Sequence, residues 1–321
     1  MKFLFVLWVA LLAGAAFGAP PVDKPELRLM PADARPGAAA STVLAAARAG
    51  RRIVAVGERG TVLLSDDDGA TFRQADTVPV SATLTGVSFA DARRGWAVGH
   101  AGVVLHTEDA GRTWAVQRSD LAHDQPLLAV HFSDAEHGVA VGLWALVLVT
   151  QDGGRQWQTV ALPVAPGARK TDLNLFGLFA DQHGTLFACA EQGRVLRSSD
   201  GGRSWQTLET GYRGSLWAGA ALADGTLLVG GLRGTLLRSS DGGNTWQPVD
   251  SGRKSSITGL AQLPDGRVFA SALDGVVLVS SDGLAFKAAQ SADRLTYTAV
   301  LASAAGKPLL MSRAGPRAEL P

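Results

Sequence analysis

Cysteine occurs once in this chain of 321 residues, as Cys189. A single thiol excludes an intramolecular disulfide framework, a cysteine-based zinc cluster and a CxxC redox pair. Tyrosine is nearly as scarce, with Tyr212 and Tyr297 alone. Net charge is almost absent: 30 basic residues face 29 acidic ones, which argues against a nucleic-acid binder driven by bulk charge. The six histidines show no close-spaced ligand motif, and His100 and His106 would fall at opposite ends of one strand. No metal or other cofactor is expected. No phosphate-cradling glycine loop opens a helix.

Long apolar runs are confined to the amino terminus. Met1-Lys2 precedes an uncharged stretch from Phe3 to Val22 that ends in small residues. This reads as a signal peptide over residues 1–19, leaving a mature chain at 20–321 that is exported, to the periplasm or a lumenal equivalent. The other reading is an uncleaved anchor, since the run is long enough to span a bilayer.

What remains is rich in apolar residues and in punctuation. The hydrophobic fraction is 46%, ample for a core, and 38 Gly with 14 Pro are spread along the chain. That spread indicates many turns and short elements. One motif recurs through them. It appears as Ser65 to Phe72, Thr107 to Trp114, Thr150 to Trp157, Ser198 to Trp205 and Ser239 to Trp246, with a shortened copy from Ser280 to Phe286. The starts are 42, 43, 48, 41 and 41 residues apart. A period of this length built from short strands marks a propeller or a solenoid.

Each unit reads as four antiparallel strands. In the second unit these are Leu84–Phe89, Gly95–Val98, Val103–Thr107 and a weaker strand after the motif. That is the content of one propeller blade. Dividing about 300 mature residues by a ~42-residue period predicts an all-β, seven-bladed β-propeller of four-stranded antiparallel blades. Six blades are visible between Thr42 and Gln290. The tail supplies two further strands, at Leu295–Leu301 and Pro308–Arg313, and Glu26–Met30 is expected to complete the last blade and close the ring. The Ala-rich stretch Ala38–Arg48 has helical propensity, but the repeat assigns it to the first strand of blade one.

The recurring aspartates are Asp67, Asp109, Asp152, Asp200, Asp241 and Asp282. Within a hairpin, Gly supplies positive φ and Asp accepts from the turn's own amides, so a structural role is expected for all six. Six copies of one geometry do not face a single active site. These motifs are Asp-box (BNR) hairpins. Together with Val56-Gly-Glu-Arg-Gly60 and Gly95-Trp-Ala-Val-Gly-His100, they resemble the photosystem II stability/assembly factor family of cyanobacteria and chloroplasts. Relatives of that family also occur in non-photosynthetic bacteria. The resemblance implies a non-catalytic propeller that binds a membrane-protein partner or its exported tail, acting as a monomer.

Two other readings remain. Asp boxes are shared with sialidases, so an Asp-box glycoside hydrolase is one. Sialidases resemble one another in an Arg-Ile-Pro motif, which this chain lacks, and a glycosidase needs two carboxyl groups flanking a sugar. Glu58 and Glu191 fall in equivalent turns of blades one and four, roughly opposite across the ring. The second is a structural component of an envelope complex unrelated to photosynthesis.

The turns between second and third strands share a face with the blade-to-blade links, and there the repeats diverge. Diverging loops are the natural place for specificity. Arg169, Lys170, Arg213, Arg253, Lys254 and Arg294 come from four successive links, and Arg233 and Arg313 from turns of the same half-ring. These eight are the candidate partner-binding residues. Guanidinium groups suit bidentate capture of carboxylates, and the resemblance implies an arginine-rich contact surface as well. Trp144, at the same kind of turn, is a further candidate contact.

Overall fold

The structure, a computed structural model, describes residues 28–164 and 171–318. The signal-peptide reading of residues 1–19 therefore lies outside the described residues, as do Arg169 and Lys170. Among the described residues no helix is long and apolar enough to cross a membrane. Among these residues the only helical elements are single 3-10 turns such as Ala38–Ala40, and the rest of the regular structure is β.

Six four-stranded antiparallel sheets follow one another around a ring. Their innermost strands are Val43–Ala49, Leu84–Phe89, Leu127–Phe132, Leu175–Ala180, Leu216–Ala221 and Ile257–Gln262. The Ala-rich segment is thus mostly strand, because its side chains pack between blade one and its neighbours rather than around a helix axis. In each blade the strands lie in sequence order from the centre outward. Second strands such as Gly95–Gly99 and Leu186–Ala190 are buried at every position. Both faces of a blade pack on neighbouring blades, which is why these strands are continuously apolar rather than alternating. Outermost strands are two to four residues long and polar, for example Gln158–Thr159, which blunts the free edges.

The expectation of seven four-stranded blades is corrected to six. After Gln290 the described residues form only a two-stranded sheet, Tyr297–Ala302 with Pro308–Ser312, standing between the sixth blade and the first. No hairpin motif follows to fold back a third and fourth strand. Arg317 adds one bridge to Leu310 and no more. Of the segment Glu26–Met30, expected to complete this sheet, the first two residues lie outside the described ones. Its described part, Arg28–Met30, is not a strand, and Leu29 packs on the core shared by blades one and two. The ring closes instead through side chains. Thr298 Oγ1 donates to the Val43 carbonyl at 2.6 Å, and Asp68 accepts from the amides of Ala304 and Ala305 at 2.7 and 2.9 Å. Ile53, Leu63, Leu309 and Met311 share one buried cluster across this seam.

Each aspartate hairpin is tied by one hydrogen-bond pattern. In blade four, Ser198 Oγ donates to Asp200 Oδ1 at 2.8 Å and accepts from the buried Gly202 amide at 2.9 Å. Asp200 also accepts from the Ser204 amide and hydroxyl, at 2.9 and 2.6 Å. Trp205 Nε1 returns to the Gly202 carbonyl at 2.9 Å. Blades three and six depart from this: Gln156 offers its amide but no hydroxyl, Trp157 Nε1 is buried without a partner, and Asp282 accepts from the amides of Leu284 and Ala285, with Phe286 in the tryptophan's place.

The glycine inside each hairpin then seats on the preceding blade. Gly202 has φ 88°, and a Cβ there would lie 2.5 Å from Val139 of blade three. Gly111 faces Val54 and Leu64 of blade one, and Gly243 faces Leu208 of blade four. Gly69 meets Leu309 of the two-stranded sheet, so the seam uses the same joint. The Gly-Trp-Ala-Val-Gly strand adds a second kind of joint. The Phe89 ring lies where a Cβ on Gly95 would stand, and Trp96 stacks on Phe132 of blade three, 3.5 Å between centroids. Its indole N–H reaches the Gly153 carbonyl at 3.1 Å.

Two stability outcomes are expected. Gly201 and Gly202 both have positive φ, 72° and 88°, but only Gly202 faces the preceding blade. Gly201→Ala is expected to cost about 1 kcal/mol of backbone strain. Gly202→Ala is expected to cost clearly more, because Val139 must move; denaturant melts of the two variants give the comparison, and equal losses would contradict the joint.

The second concerns acid. Hydroxyls and amides of Thr71, and then Ser65, hold the Asp67 carboxyl down at about 2, from an ordinary 3.8. Asp241, bonded in the same way by Thr245 and Ser239, is also held at about 2. Asp200 lies at about 2 too: burial pushes its carboxyl up, and the bonds from Ser204 and Ser198 outweigh that. A carboxyl more acidic when folded than unfolded contributes stability that is complete above the unfolded value. That contribution disappears as pH falls from about 4 toward 2, and thermal melts over this range are expected to show a decline that is shallower in the Asp67→Asn, Asp241→Asn double variant.

Candidate functional site

One face of the ring is built from the turns between second and third strands, each resting on a link. In every blade the turn's first residue donates its amide to the carbonyl just before the innermost strand, as His100 does to Thr83 at 3.0 Å and Leu232 to Ser215 at 3.0 Å. The next residue takes a left-handed conformation: Arg59, Ala101, Trp144, Gln192, Arg233 and Asp274 have φ of 55–60°. In five of the blades a glycine follows, and its missing side chain makes room for the link. A Cβ on Gly234 would lie 2.0 Å from the Arg253 carbonyl, and one on Gly193 would lie 1.8 Å from that of Tyr212. Turn and link are therefore locked together at van der Waals contact.

This packing brings the arginines to shared positions. Arg233 bonds through its amide to Ser256 Oγ at 3.1 Å, beside the link that carries Arg253 and Lys254. Arg294 lies against Gly275 at the next junction. Arg313 lies at the seam, its carbonyl accepting from Thr42 Oγ1 at 3.3 Å. Arg213 follows Tyr212 at the junction of blades four and five. All six side chains are exposed, and none forms an ion pair or a side-chain hydrogen bond among the described residues.

The neighbouring carboxylates are engaged differently. Asp250 accepts from the Gly252 amide at 2.8 Å and Asp293 from the Leu295 amide at 3.1 Å. The Ser291 hydroxyl and then the Leu295 amide lower the Asp293 carboxyl below its ordinary range. These acids serve their own loops, so the adjacent guanidinium groups stay available to solvent.

Trp144 is 56% exposed, and its turn is held from both sides. Its amide donates to Asn174 Oδ1 at 2.9 Å, and Gln125 Nε2 donates to the Leu143 carbonyl at 2.9 Å. Asn174 in turn donates through its amide and its Nδ2 to Glu191, at 3.2 and 3.1 Å. Glu191 is therefore occupied in bracing blades three and four, while Glu58 stands exposed on blade one. A bulky residue at positive φ is strained. Trp144 does not relieve that strain by burial, and it is the one aromatic residue among the six left-handed turn positions.

Other reactive groups are spoken for. Cys189 is fully enclosed, and burial pushes its thiol up to about 12. A cleft of 490 Å³ near the hairpin face contains Asp91 and Glu108. There the Arg94 amide, with the Arg94 guanidinium at 2.7 Å, holds Asp91 at about 2 despite partial burial. No group of three or more potential metal ligands occurs among the described residues. The sequence reading did not single out Asp68 as the seam residue. A third consecutive acid beside the motif of blade one, absent from the other copies, was the available signal.

The sequence model of the family described as "Photosynthesis system II assembly factor YCF48" matches residues 74–228, just under half of the chain. Solved structures agree in fold. "YCF48 bound to D1 peptide" is 19% identical, with a TM-score of 0.70 over 87% of this chain and 92% of that one. YCF48 from Cyanidioschyzon merolae is 18% identical, with a TM-score of 0.69 over 87% of this chain and 94% of that one. The WD40 β-propeller domain of Doa1 is 14% identical, with a TM-score of 0.65 over 86% and 91%. No curated protein matches the chain. The resemblance read from the repeats holds: the chain is a β-propeller similar to the photosystem II assembly factors.

Trp144→Gly is expected to leave stability unchanged or to raise it by up to about 1 kcal/mol, since it removes strain without opening a cavity. Trp96→Gly, by contrast, empties a site buried to 1% exposure and is expected to cost several kcal/mol, about 3–5. Paired denaturant melts check both.

Proposed function

We propose that this protein is an exported, monomeric, non-catalytic binding and assembly factor. Its partner is a membrane protein or the exported tail of one. The observation that carries this reading is the half-ring of exposed, unpaired guanidinium groups at successive turn–link junctions. A protein of nearly zero net charge presents there a local positive potential. Arginine forks take up carboxylates in bidentate geometry, including a chain terminus. The similarity to a propeller whose solved structure is described as bound to a D1 peptide supports a protein ligand. Arg169 and Lys170, which lie outside the described residues, join the same set of candidate contacts by their place in the sequence. The aspartate hairpins are structural and take no part in recognition.

A hydrolase is the less supported alternative. Glu191 braces Asn174, and Asp91 is too acidic to act as a proton donor near neutrality. A general acid needs a carboxyl whose pKa is raised toward the working pH.

The test begins by co-purifying the tagged full chain from its native membranes and measuring affinity for the captured partner. Arg213→Glu, Arg253→Glu and Arg294→Glu together are expected to weaken that affinity well over tenfold and to flatten its salt dependence, with the melting curve almost unmoved. Unchanged affinity would place the contact elsewhere. Turnover of aryl glycosides lost on Glu191→Gln would favour the hydrolase.

A further inference from the structure

The innermost strands carry a feature the repeat motif does not explain. In every one of the six blades, and in the two-stranded sheet, the register slips at the second residue of the innermost strand. The residues left without a partner are Leu44, Thr85, Leu128, Phe176, Trp217, Thr258 and Thr298. A bulge turns its extra residue away from the direction the strand would give it. The three threonines use the new direction to join blades: Thr85 Oγ1 donates to the Leu127 carbonyl at 2.7 Å, Thr258 to Tyr297 at 2.9 Å and Thr298 to Val43 at 2.6 Å.

The other four have no hydroxyl to place. Leu44, Leu128, Phe176 and Trp217 are partly exposed, and none packs on the buried clusters formed by the described residues. Their strand neighbours behave otherwise, since Ala45, Ala129, Leu178 and Phe179 all pack on such clusters. The bulges thus turn these side chains away from the buried clusters, toward the inner edge where each blade meets the next. Leu128, Phe176 and Trp217 belong to three consecutive blades, three to five. They stand two residues beyond carbonyls that accept from the turns of the arginine face, Pro126, Asn174 and Ser215. That puts them at the opening of the central channel on this face.

We propose that Leu128, Phe176 and Trp217 form an apolar socket at the channel mouth, which takes one aromatic or aliphatic side chain of a bound acidic peptide. The proposal deepens the binding role argued above and rests on it. Charge selects the occupant: Arg213 lies four residues before Trp217, and Leu232, beside Arg233, bonds to the Ser215 carbonyl at 3.0 Å. A ligand side chain in the socket would have its flanking backbone beside these free guanidinium groups. A segment with a carboxylate within a few residues of its apolar anchor meets both requirements. Apolar anchors in desolvated pockets dominate binding energy, while charges at the rim set partner choice.

The test uses ten-residue peptides: one with a central Phe flanked by Glu, a second with Ser for Phe, and a third with Gln for each Glu. Binding to the full chain is read by fluorescence anisotropy. Phe176→Thr with Trp217→Thr is the socket variant, since threonine occupies three equivalent bulges and suits the fold. A thermal melt checks folding. If the variant is destabilised, Leu128→Thr alone serves in its place. The Phe-Glu peptide is expected to bind wild type at least tenfold more tightly than either other peptide, and to lose at least tenfold on the socket variant. The Ser peptide is expected to bind both proteins alike. Equal binding of Phe and Ser peptides to wild type overturns the socket. If that shared binding still falls on Arg213→Glu with Arg233→Glu, the arginine face stands without the socket. Absence of binding by every acidic peptide overturns both.

Discussion

The joint between one blade's aspartate hairpin and the blade before it governs the rest of this structure. A β-sheet of four strands has two faces to bury, and in a ring each face depends on the neighbour. The hairpin glycines approach the preceding blade so closely that a methyl group would fall within 2.2–3.1 Å of it. Close approach is the condition for excluding water from the wedge between two twisted sheets. The aspartate makes this approach possible from the other side. By accepting from a hydroxyl, an amide and a second hydroxyl, it fixes the turn so that the glycine, and no larger residue, projects inward. Changing the acceptor loosens the turn, while changing the glycine pushes the blades apart.

Ring closure shows the same joint working with fewer parts. The two-stranded sheet offers Leu309 to Gly69, and Asp68 clamps the amides of Ala304 and Ala305 across more than 230 residues of sequence. Arg48 supports Asp68 at 3.0 Å. Burial pushes the Asp68 carboxyl up, but these amides and the guanidinium together bring it below its ordinary value. A seam made of side chains and turns in place of a shared strand costs two strands of pairing. It leaves the last sheet with one face on blade six and the other on blade one, which keeps its residues as buried as those of the complete blades.

The proposed binding role falls on the face that the joints leave free. The hairpin face is committed to one repeated geometry. On the opposite face the turns are held against the links through their backbone amides and carbonyls, so side chains at the left-handed position are under little packing constraint. That freedom admits Arg233 at one blade, Trp144 at another and Asp274 at a third. Asp250 and Asp293 bond to amides of their own loops, while Arg213, Arg233, Arg253, Arg294 and Arg313 form no ion pair among the described residues.

The sequence by itself determined the blade. Spacing of the aspartate motif, glycine placement and the continuous apolar second strands each encode a local, repeated contact, and such contacts repeat legibly. It also placed Arg213, Arg233, Arg253, Lys254, Arg294 and Arg313 on one face, because turn order in a meander fixes which loops share a side. The number of complete blades was decided by tertiary structure. Dividing length by period assumed that the tail and Glu26–Met30 pair, but pairing between chain ends depends on where the ring brings them, and Leu29 is held near blade two. Asp68 belongs to the same class: the run of three acids marks it locally, but its partners are remote in sequence and the run does not show what it binds. The bulges at Phe176 and Trp217 were illegible for a different reason. A one-residue slip leaves the apolar pattern intact, and only the register shows which side chains it turns away from the core.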